Sequence, residues 1–313
     1  MTTSTTSRPA LLAGATVHGL AGLKRLRHRC EIPLVVLAGA ILAVGYALWI
    51  VAIVQLFAVE PGDRLFDGLP LARLLSFLPR PTGDPTLIVV ILGFAPLAIA
   101  VVRAVIYAKV RAGGVRMSPT QFPEGYRMVV EAAERFGMRK VPDAYVVLGN
   151  GVVNAYASGH GYVVVHSDAF EVGGGARDPE ALRFVIGHEV GHLAAGHVSF
   201  FRILFISLAY VVPVLGPAVS RAQEYTADNH GYDCAPDGVA GVMGLLSGGK
   251  YLGAQVNLHA LADRAATERG LWLHVANWMS THPVHTWRAS ALRDRSRPGR
   301  LMVAPPRDSA WFA

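Results

Sequence analysis

Between Glu31 and Glu60 the chain carries no charged side chain, and the apolar run from Pro33 to Ala58 exceeds the roughly 20 residues a helix needs to cross a bilayer. It is too long and lipid-like for a buried soluble helix, the alternative that stays open for the second run below, so it predicts a membrane-spanning helix. Its apolar core is too long and begins too far into the chain for a cleavable signal peptide. Thr86 to Val102 is a second uncharged run. It extends to Ala108 if Arg103 carries its charge to the interface. Pro96 inside it predicts a kink of the kind membrane helices tolerate.

The flanking charges orient this hairpin. Lys24, Arg25, Arg27 and Arg29 precede the first span, and Arg103, Lys109, Arg111 and Arg116 follow the second. The loop between carries Glu60, Asp63, Asp67 and Asp84 against Arg64, Arg73 and Arg80. Basic residues favour the cytoplasmic side, so both ends are expected in the cytoplasm and the loop outside. The net charge of +7 is accounted for by these flanks, and no nucleic-acid partner is needed to explain it. Leu71, Leu74, Leu75 and Leu78 allow a short interfacial helix in the loop. The two cysteines, Cys30 and Cys234, offer neither metal spacing nor an expected disulfide.

Chemistry is concentrated in Gly187-His188-Glu189-Val190-Gly191-His192. On a helix, residues four apart share a face, so both imidazoles can reach one ion. Glu189 then lies beside the metal, where a carboxylate can take a proton from an activated water. The helix is well signalled: Asp178 as cap, Pro179 in the first turn, Glu180 at the positive end of the dipole. Arg177, Asp178, Glu180 and Arg183 make it too charged to lie in lipid.

A third ligand is required. His197 has the wrong spacing for extended histidine motifs, and on a continuing helix it would sit well round from His192, so it is expected to close the helix instead. Glu224 is the better candidate, with Asp228 four residues on and able to accept the free ring N–H of a ligating histidine. The apolar stretch from Val198 to Val219 holds only Arg202 and separates the two ligand helices. A single crossing there would put Glu224 on the wrong side of the membrane. The chain must turn back, with Pro213, Gly216 and Pro217 as the candidate turn residues, either dipping into one leaflet or packing on the domain.

These stretches, with Asn154-Ala155-Tyr156-Ala157-Ser158-Gly159 and Ser280-Thr281-His282-Pro283, occur in one order over roughly Met117 to Arg295. In that order they resemble the membrane-associated zinc metalloproteases of the HtpX-like and CAAX-prenyl-endopeptidase-like family, which are gluzincins. The resemblance implies His188, His192 and Glu224 as ligands of one Zn2+ per chain, Glu189 as general base and Asp228 as support. It also implies that His282 donates to the tetrahedral oxyanion, and that Arg288, six residues later, orients it or helps to stabilise charge. The flank Val284-His285-Thr286 departs from the family's usual proline and acidic residues. The stretch 198–219 is shorter than the membrane hairpin such relatives commonly hold there. Asn154 to Ala157 reads as an edge strand, on which Asn154 and Ala155 could hold an extended peptide; an ordinary turn asparagine before a strand is the alternative.

The expected fold is α+β, mainly α: a transmembrane hairpin, then a gluzincin-like domain with a small β-sheet. Its expected parts are a cytoplasmic tail (1–30), the hairpin (31–108, loop 60–85), the protease domain (109–300) and a tail (301–313). Helices are predicted over Pro123–Phe136, Pro236–Leu246, His259–Thr267 and Thr286–Asp294, and strands over Ala144–Leu148 and Tyr162–His166. The expected function is a multi-pass zinc endopeptidase of the cytoplasmic membrane, its catalytic domain in the cytoplasm and its substrates proteins or peptides. The rival is a membrane-anchored regulatory or binding protein with a vestigial zinc site. Prenyl-protein processing would need a larger intramembrane chamber than two or three apolar segments can build.

Overall fold

Two helices, α1 (Glu31–Ala58) and α2 (Pro85–Gly113), form where the uncharged runs lie, and both are long and apolar enough to cross a membrane. They turn large apolar side chains outward, with Val36 65% and Phe94 60% exposed. Water alone would not favour such a surface. The computed structural model describes residues 26–58, 85–149, 151, 154–159 and 161–309. The Met1–Arg8 tail, the loop between the two helices with its Leu69–Leu78 segment, and Val152-Val153 therefore lie outside the described residues.

Helix α2 runs past Ala108 to Gly113 because its last turns have a protein surface to pack on. Tyr107 stacks on Tyr162 with ring centroids 4.7 Å apart, and Val110 is buried in the same cluster. That surface is a four-stranded sheet: β1 (Val115–Arg116), β2 (Asp143–Val147), β3 (Ala155–Ser158) and β4 (Tyr162–His166). The order is β1-β2-β4-β3, with β2 and β4 parallel and the other pairs antiparallel. Tyr162 to Val165 are fully buried, because β4 is covered on both faces. This is why its sequence is a continuous apolar run. β3 is left as an edge strand.

The other face of the sheet holds α3 (Pro123–Arg135) and α4 (Pro179–Ala194), with Val163, Val165, Ile186 and Val190 in one core. Phe184 of α4 enters a second core with α7 (Val239–Leu252), α8 (Leu258–Thr267) and α10 (His285–Arg293). Helix α4 is thus buried on nearly all sides. Its closest neighbour is α6 (Leu215–Cys234), and the approach depends on glycine. A Cβ on Gly191 would lie 2.5 Å from His230 Cβ, and one on Gly187 2.8 Å from Cys234 Cβ.

Between α4 and α6 the chain makes α5 (Phe200–Ser207), a short 3-10 turn (Leu208–Val211) and then a reversal. Pro213 lies in the reversal and Val214 closes it with a positive φ of 70°. Gly216 and Pro217 instead lie in the first turn of α6. Gly216 has no room for a side chain, since a Cβ there would meet Tyr210 Cα at 2.7 Å. Helix α9 (Leu271–Met279) completes the helical part and was not foreseen from the sequence. The expected tail (301–313) begins packed on the domain: Leu301 and Ala304 are buried, and Leu301 O accepts from Arg221 and Asn277.

Candidate metal centre

Helix α4 begins as its sequence suggests. Asp178 Oδ1 accepts the Ala181 N–H at 3.0 Å, and Pro179 occupies the first turn. The helix delivers His188 and His192 to one face, with their Nε2 atoms 3.1 Å apart. Glu224, on the closely packed α6, brings Oε2 to 3.5 Å from His188 Nε2 and Oε1 to 3.5 Å from His192 Nε2. Tetrahedral coordination with bonds of about 2.0–2.1 Å separates ligand atoms by roughly 3.3 Å. The separation of the two imidazole nitrogens, and that of each from its nearer Glu224 oxygen, are close to this value, and one donor atom from each residue lies within 4.8 Å of the others. A two-histidine, one-carboxylate set suits zinc and leaves a position for water or substrate. Among the described residues, His188, His192 and Glu224 form the one group of metal-donor side chains clustered tightly enough to hold an ion.

The surroundings fix these donors. His188 Nδ1 lies 3.0 Å from Asp228 Oδ1, one turn along α6 from Glu224. Asp228 is gripped by Arg288 of α10, whose Nη2 also comes within 3.4 Å of His188 Nδ1. Burial alone would keep the His188 ring neutral, but hydrogen bonds to Asp228 and Glu224 raise its pKa to about 10. Burial also opposes the Glu224 and Asp228 charges. The histidines around Glu224, and Arg288 beside Asp228, overcome it and hold both carboxyls below their ordinary values. His192 is shifted the other way, its ring held neutral by burial. A divalent cation would favour the neutral imidazoles and charged carboxylates that bind it.

Glu189 is buried beside these donors. Burial pushes its carboxyl up to about 7, and the nearby Glu224 charge adds to the rise. The Ala157 N–H on the β3 edge hydrogen-bonds this carboxylate. Such a value suits a group that must take and return a proton near neutrality. Ala155, Tyr156 and Ala157 line the cleft over His188, Glu189 and His192. Asn154 lines the neighbouring pocket, but its Oδ1 accepts the Ala155 N–H at 2.9 Å, an arrangement that turns the chain into the strand. The pocket beyond Glu189 has apolar walls from Phe184, Val185, Val242, Leu245 and Leu246.

His282 stands at the rim with 61% of its side chain exposed, its Nε2 3.5 Å from Glu224 Oε1. The loop carrying it is anchored by Arg221 of α6, a residue not singled out from the sequence. The fully buried guanidinium donates to the carbonyls of Asn277 at 2.5 Å, Trp278 at 3.1 Å and Ser280 at 2.7 Å, capping α9 just before His282. An arginine one turn ahead of a ligand was the available signal, but the sequence does not say which carbonyls it meets.

His197 also sits where helical extrapolation would not put it. Gly196, with φ of 75°, ends α4 in a left-handed turn. The His197 N–H returns to His192 O and the Gly196 N–H to Leu193 O, both at 3.0 Å. This is a Schellman closure. It folds His197 back so that its Nδ1 meets His192 Nδ1 at 2.8 Å.

One of the comparisons with known proteins gave a match. The family model for Peptidase family M48 matches residues 119–207 and 200–296, more than half of the chain. Neither curated proteins nor solved structures gave a match.

Proposed function

The chain belongs to Peptidase family M48, a family of metallopeptidases acting on proteins or peptides, and on that premise we propose a zinc-dependent endopeptidase anchored in the cytoplasmic membrane. The observation that carries the reading is the convergence of His188 Nε2 and His192 Nε2, 3.1 Å apart and each 3.5 Å from one oxygen of the Glu224 carboxylate, with Glu189 alongside. Zinc bound there supplies a Lewis acid that polarises the scissile carbonyl and lowers the pKa of water towards neutrality.

The chain's own groups do the rest. Glu189 takes the proton of the attacking water and passes it to the leaving amine nitrogen. Asp228 keeps the His188 ring in the orientation that presents Nε2, and Arg288 keeps Asp228 in place. His282 donates from Nε2 to the oxyanion as the carbonyl becomes tetrahedral. The β3 edge, with Ala155 and the preceding Asn154, holds the substrate main chain in extended form. The apolar pocket receives an apolar substrate side chain.

Helices α1 and α2 support membrane anchoring, and the basic residues at their outer ends support a cytoplasmic catalytic domain. A vestigial zinc site in a regulatory protein is the competing reading, and Glu189 separates the two. Purified protein is expected to hold about one zinc per chain and to cleave peptides. Glu224→Ala should lose the metal, while Glu189→Gln should keep it and lose turnover. Full zinc occupancy in Glu224→Ala would remove that ligand. Zinc-loaded protein that cleaves equally with and without Glu189 would end the mechanism.

A further inference from the structure

Behind His192, away from His188 and Glu224, lies a second buried polar cluster. His197 forms its near end through the 2.8 Å contact of the two Nδ1 atoms. On the far side of that ring, Nε2 faces Glu31 Oε1 at 3.3 Å, within ion-pair distance but off the line a hydrogen bond requires. Glu31 belongs to the first turn of α1 and is fully buried. Its oxygens also receive Arg27 Nη1 at 2.5 Å, Arg202 Nη2 at 3.1 Å and the Thr226 hydroxyl at 2.6 Å. Arg27 Nη2 donates in turn to Ala195 O at 2.7 Å, closing the carboxyl end of α4.

Hydrogen-bond direction orders this chain of contacts. A histidine that offers Nε2 to a metal carries its proton on Nδ1 and needs an acceptor there. Asp228 is that acceptor for His188. For His192 it is His197 Nδ1, which leaves the His197 proton on Nε2, the atom turned towards Glu31. A small rotation of the carboxylate completes the link. Burying a carboxylate at the start of an apolar helix is costly unless it is paired, and packing alone would be served as well by an apolar residue.

We infer that His197 and Glu31 are positioning residues for His192, so that the first turn of α1 is part of the metal centre. This rests on the metal reading proposed above. It assigns α1 a task beyond anchoring: a displacement of its first turn is transmitted to a ligand ring through two side chains.

The test uses the full chain in detergent, with zinc affinity measured by chelator competition and ligand geometry by the visible spectrum of the cobalt-substituted protein. His197→Ala and Glu31→Ala are expected to weaken zinc binding about 10- to 100-fold, the usual effect of losing a partner behind a ligand, and to alter the cobalt spectrum. His197→Asn and Glu31→Gln, which keep an acceptor in each place, should recover most of both. Val190→Ala, a core truncation on the same helix, controls for lost stability and should lower Tm with affinity unchanged. Wild-type affinity in His197→Ala, or a loss no larger than that of Val190→Ala, overturns the inference. A loss in His197→Ala beside wild-type affinity in folded Glu31→Ala overturns the part given to α1. Should Glu31→Ala fail to fold, Glu31→Met, which keeps the volume and removes both acceptor oxygens, takes its place, and wild-type affinity with an unchanged cobalt spectrum there overturns the part given to α1. Wild-type protein that binds neither zinc nor cobalt overturns this and the metal reading together, whereas failure of the variants alone leaves that reading standing.

Discussion

Arg288 takes both carboxylate oxygens of Asp228, with Nε 2.8 Å from Oδ2 and Nη2 2.5 Å from Oδ1. The fork spans two helices, α10 and α6, and both side chains are buried. Asp228 is thereby held against His188, so a residue near the carboxyl end of the domain fixes the orientation of a metal-donor histidine a hundred positions earlier.

Breaking the fork should cost both stability and metal. Arg288→Ala leaves a buried carboxylate without its counter-charge, a change that typically costs about 3–5 kcal/mol. Arg288→Lys should recover little, because an ammonium cannot reproduce the two-point grip. Asp228→Asn should weaken zinc binding about 10- to 100-fold while the chain stays folded. Thermal unfolding and chelator competition read the two effects separately. An Arg288→Ala protein with wild-type Tm and affinity would show that the fork supports neither.

His282 presents the opposite case, a side chain exposed at the rim and outside the ligand triangle. His282→Ala should lower kcat by roughly 100- to 1000-fold, as expected for removing one transition-state donor, with zinc content unchanged. Arg221→Met should act in the same direction by releasing the loop that carries His282. Near-normal turnover in His282→Ala would leave that histidine an ordinary loop residue.

Acid should loosen the packing between α4 and α6 through His230. Its Nδ1 donates to Thr226 O at 2.7 Å and its ring meets Phe136 edge-on, with centroids 4.7 Å apart. Burial lowers its pKa from 6.5 to about 4. The unfolded chain therefore takes up a proton below pH 6.5 that the folded chain refuses until about pH 4. The stabilisation is complete above pH 6.5 and declines as pH falls to about 4, by about 3 kcal/mol. His230→Asn keeps a donor near the Nδ1 position but does not titrate. Urea unfolding of both proteins at pH 7 and pH 4 isolates the difference from every other group. Parallel losses in the two proteins would exclude His230 as the cause.

The parts legible in the sequence are those set by local pattern. The two long apolar helices, the α4 cap and the four-residue spacings of His188 to His192 and Glu224 to Asp228 follow from helix geometry and hydropathy. The partners of Glu31, His197 and Arg221 do not. A buried carboxylate at a helix start reads as an interfacial charge until its partners, from α5, α6 and the end of α4, are in place. That His197 closes α4 was legible, but its return onto His192 Nδ1 depends on the left-handed turn at Gly196. Helix α9 was missed because its run is short and lies between Gly270 and the His282 loop, with no cap to announce it. Gly187 and Gly191 were visible as letters, but the close approach they permit appears only when α6 lies against them.

The last prediction concerns the side of the membrane on which the two ligand helices lie. Residues 198–219 separate α4 from most of α6, and hydropathy alone would send that stretch across a bilayer. The reversal at Pro213 and Val214 returns the chain instead, so that His188, His192 and Glu224 come together. Reporter cysteines near Gly196 or Ser220 are poor choices, since Gly196 has a positive φ and Ser220 is half-buried. Glu134, at the end of α3, and Glu268, just after α8, are exposed and lie on either side of the stretch. With Cys30 and Cys234 replaced by serine or alanine, cysteines at these two positions should react with an impermeant reagent only after cells are opened. A cysteine at Gly68, between the two spans, should react in intact cells. Reaction of all three from the reversed sides would move the catalytic domain out of the cytoplasm and leave the metal centre intact. Reaction of Glu134→Cys and Glu268→Cys from opposite sides would mean that the three ligands never meet, and the peptidase mechanism would fall with them.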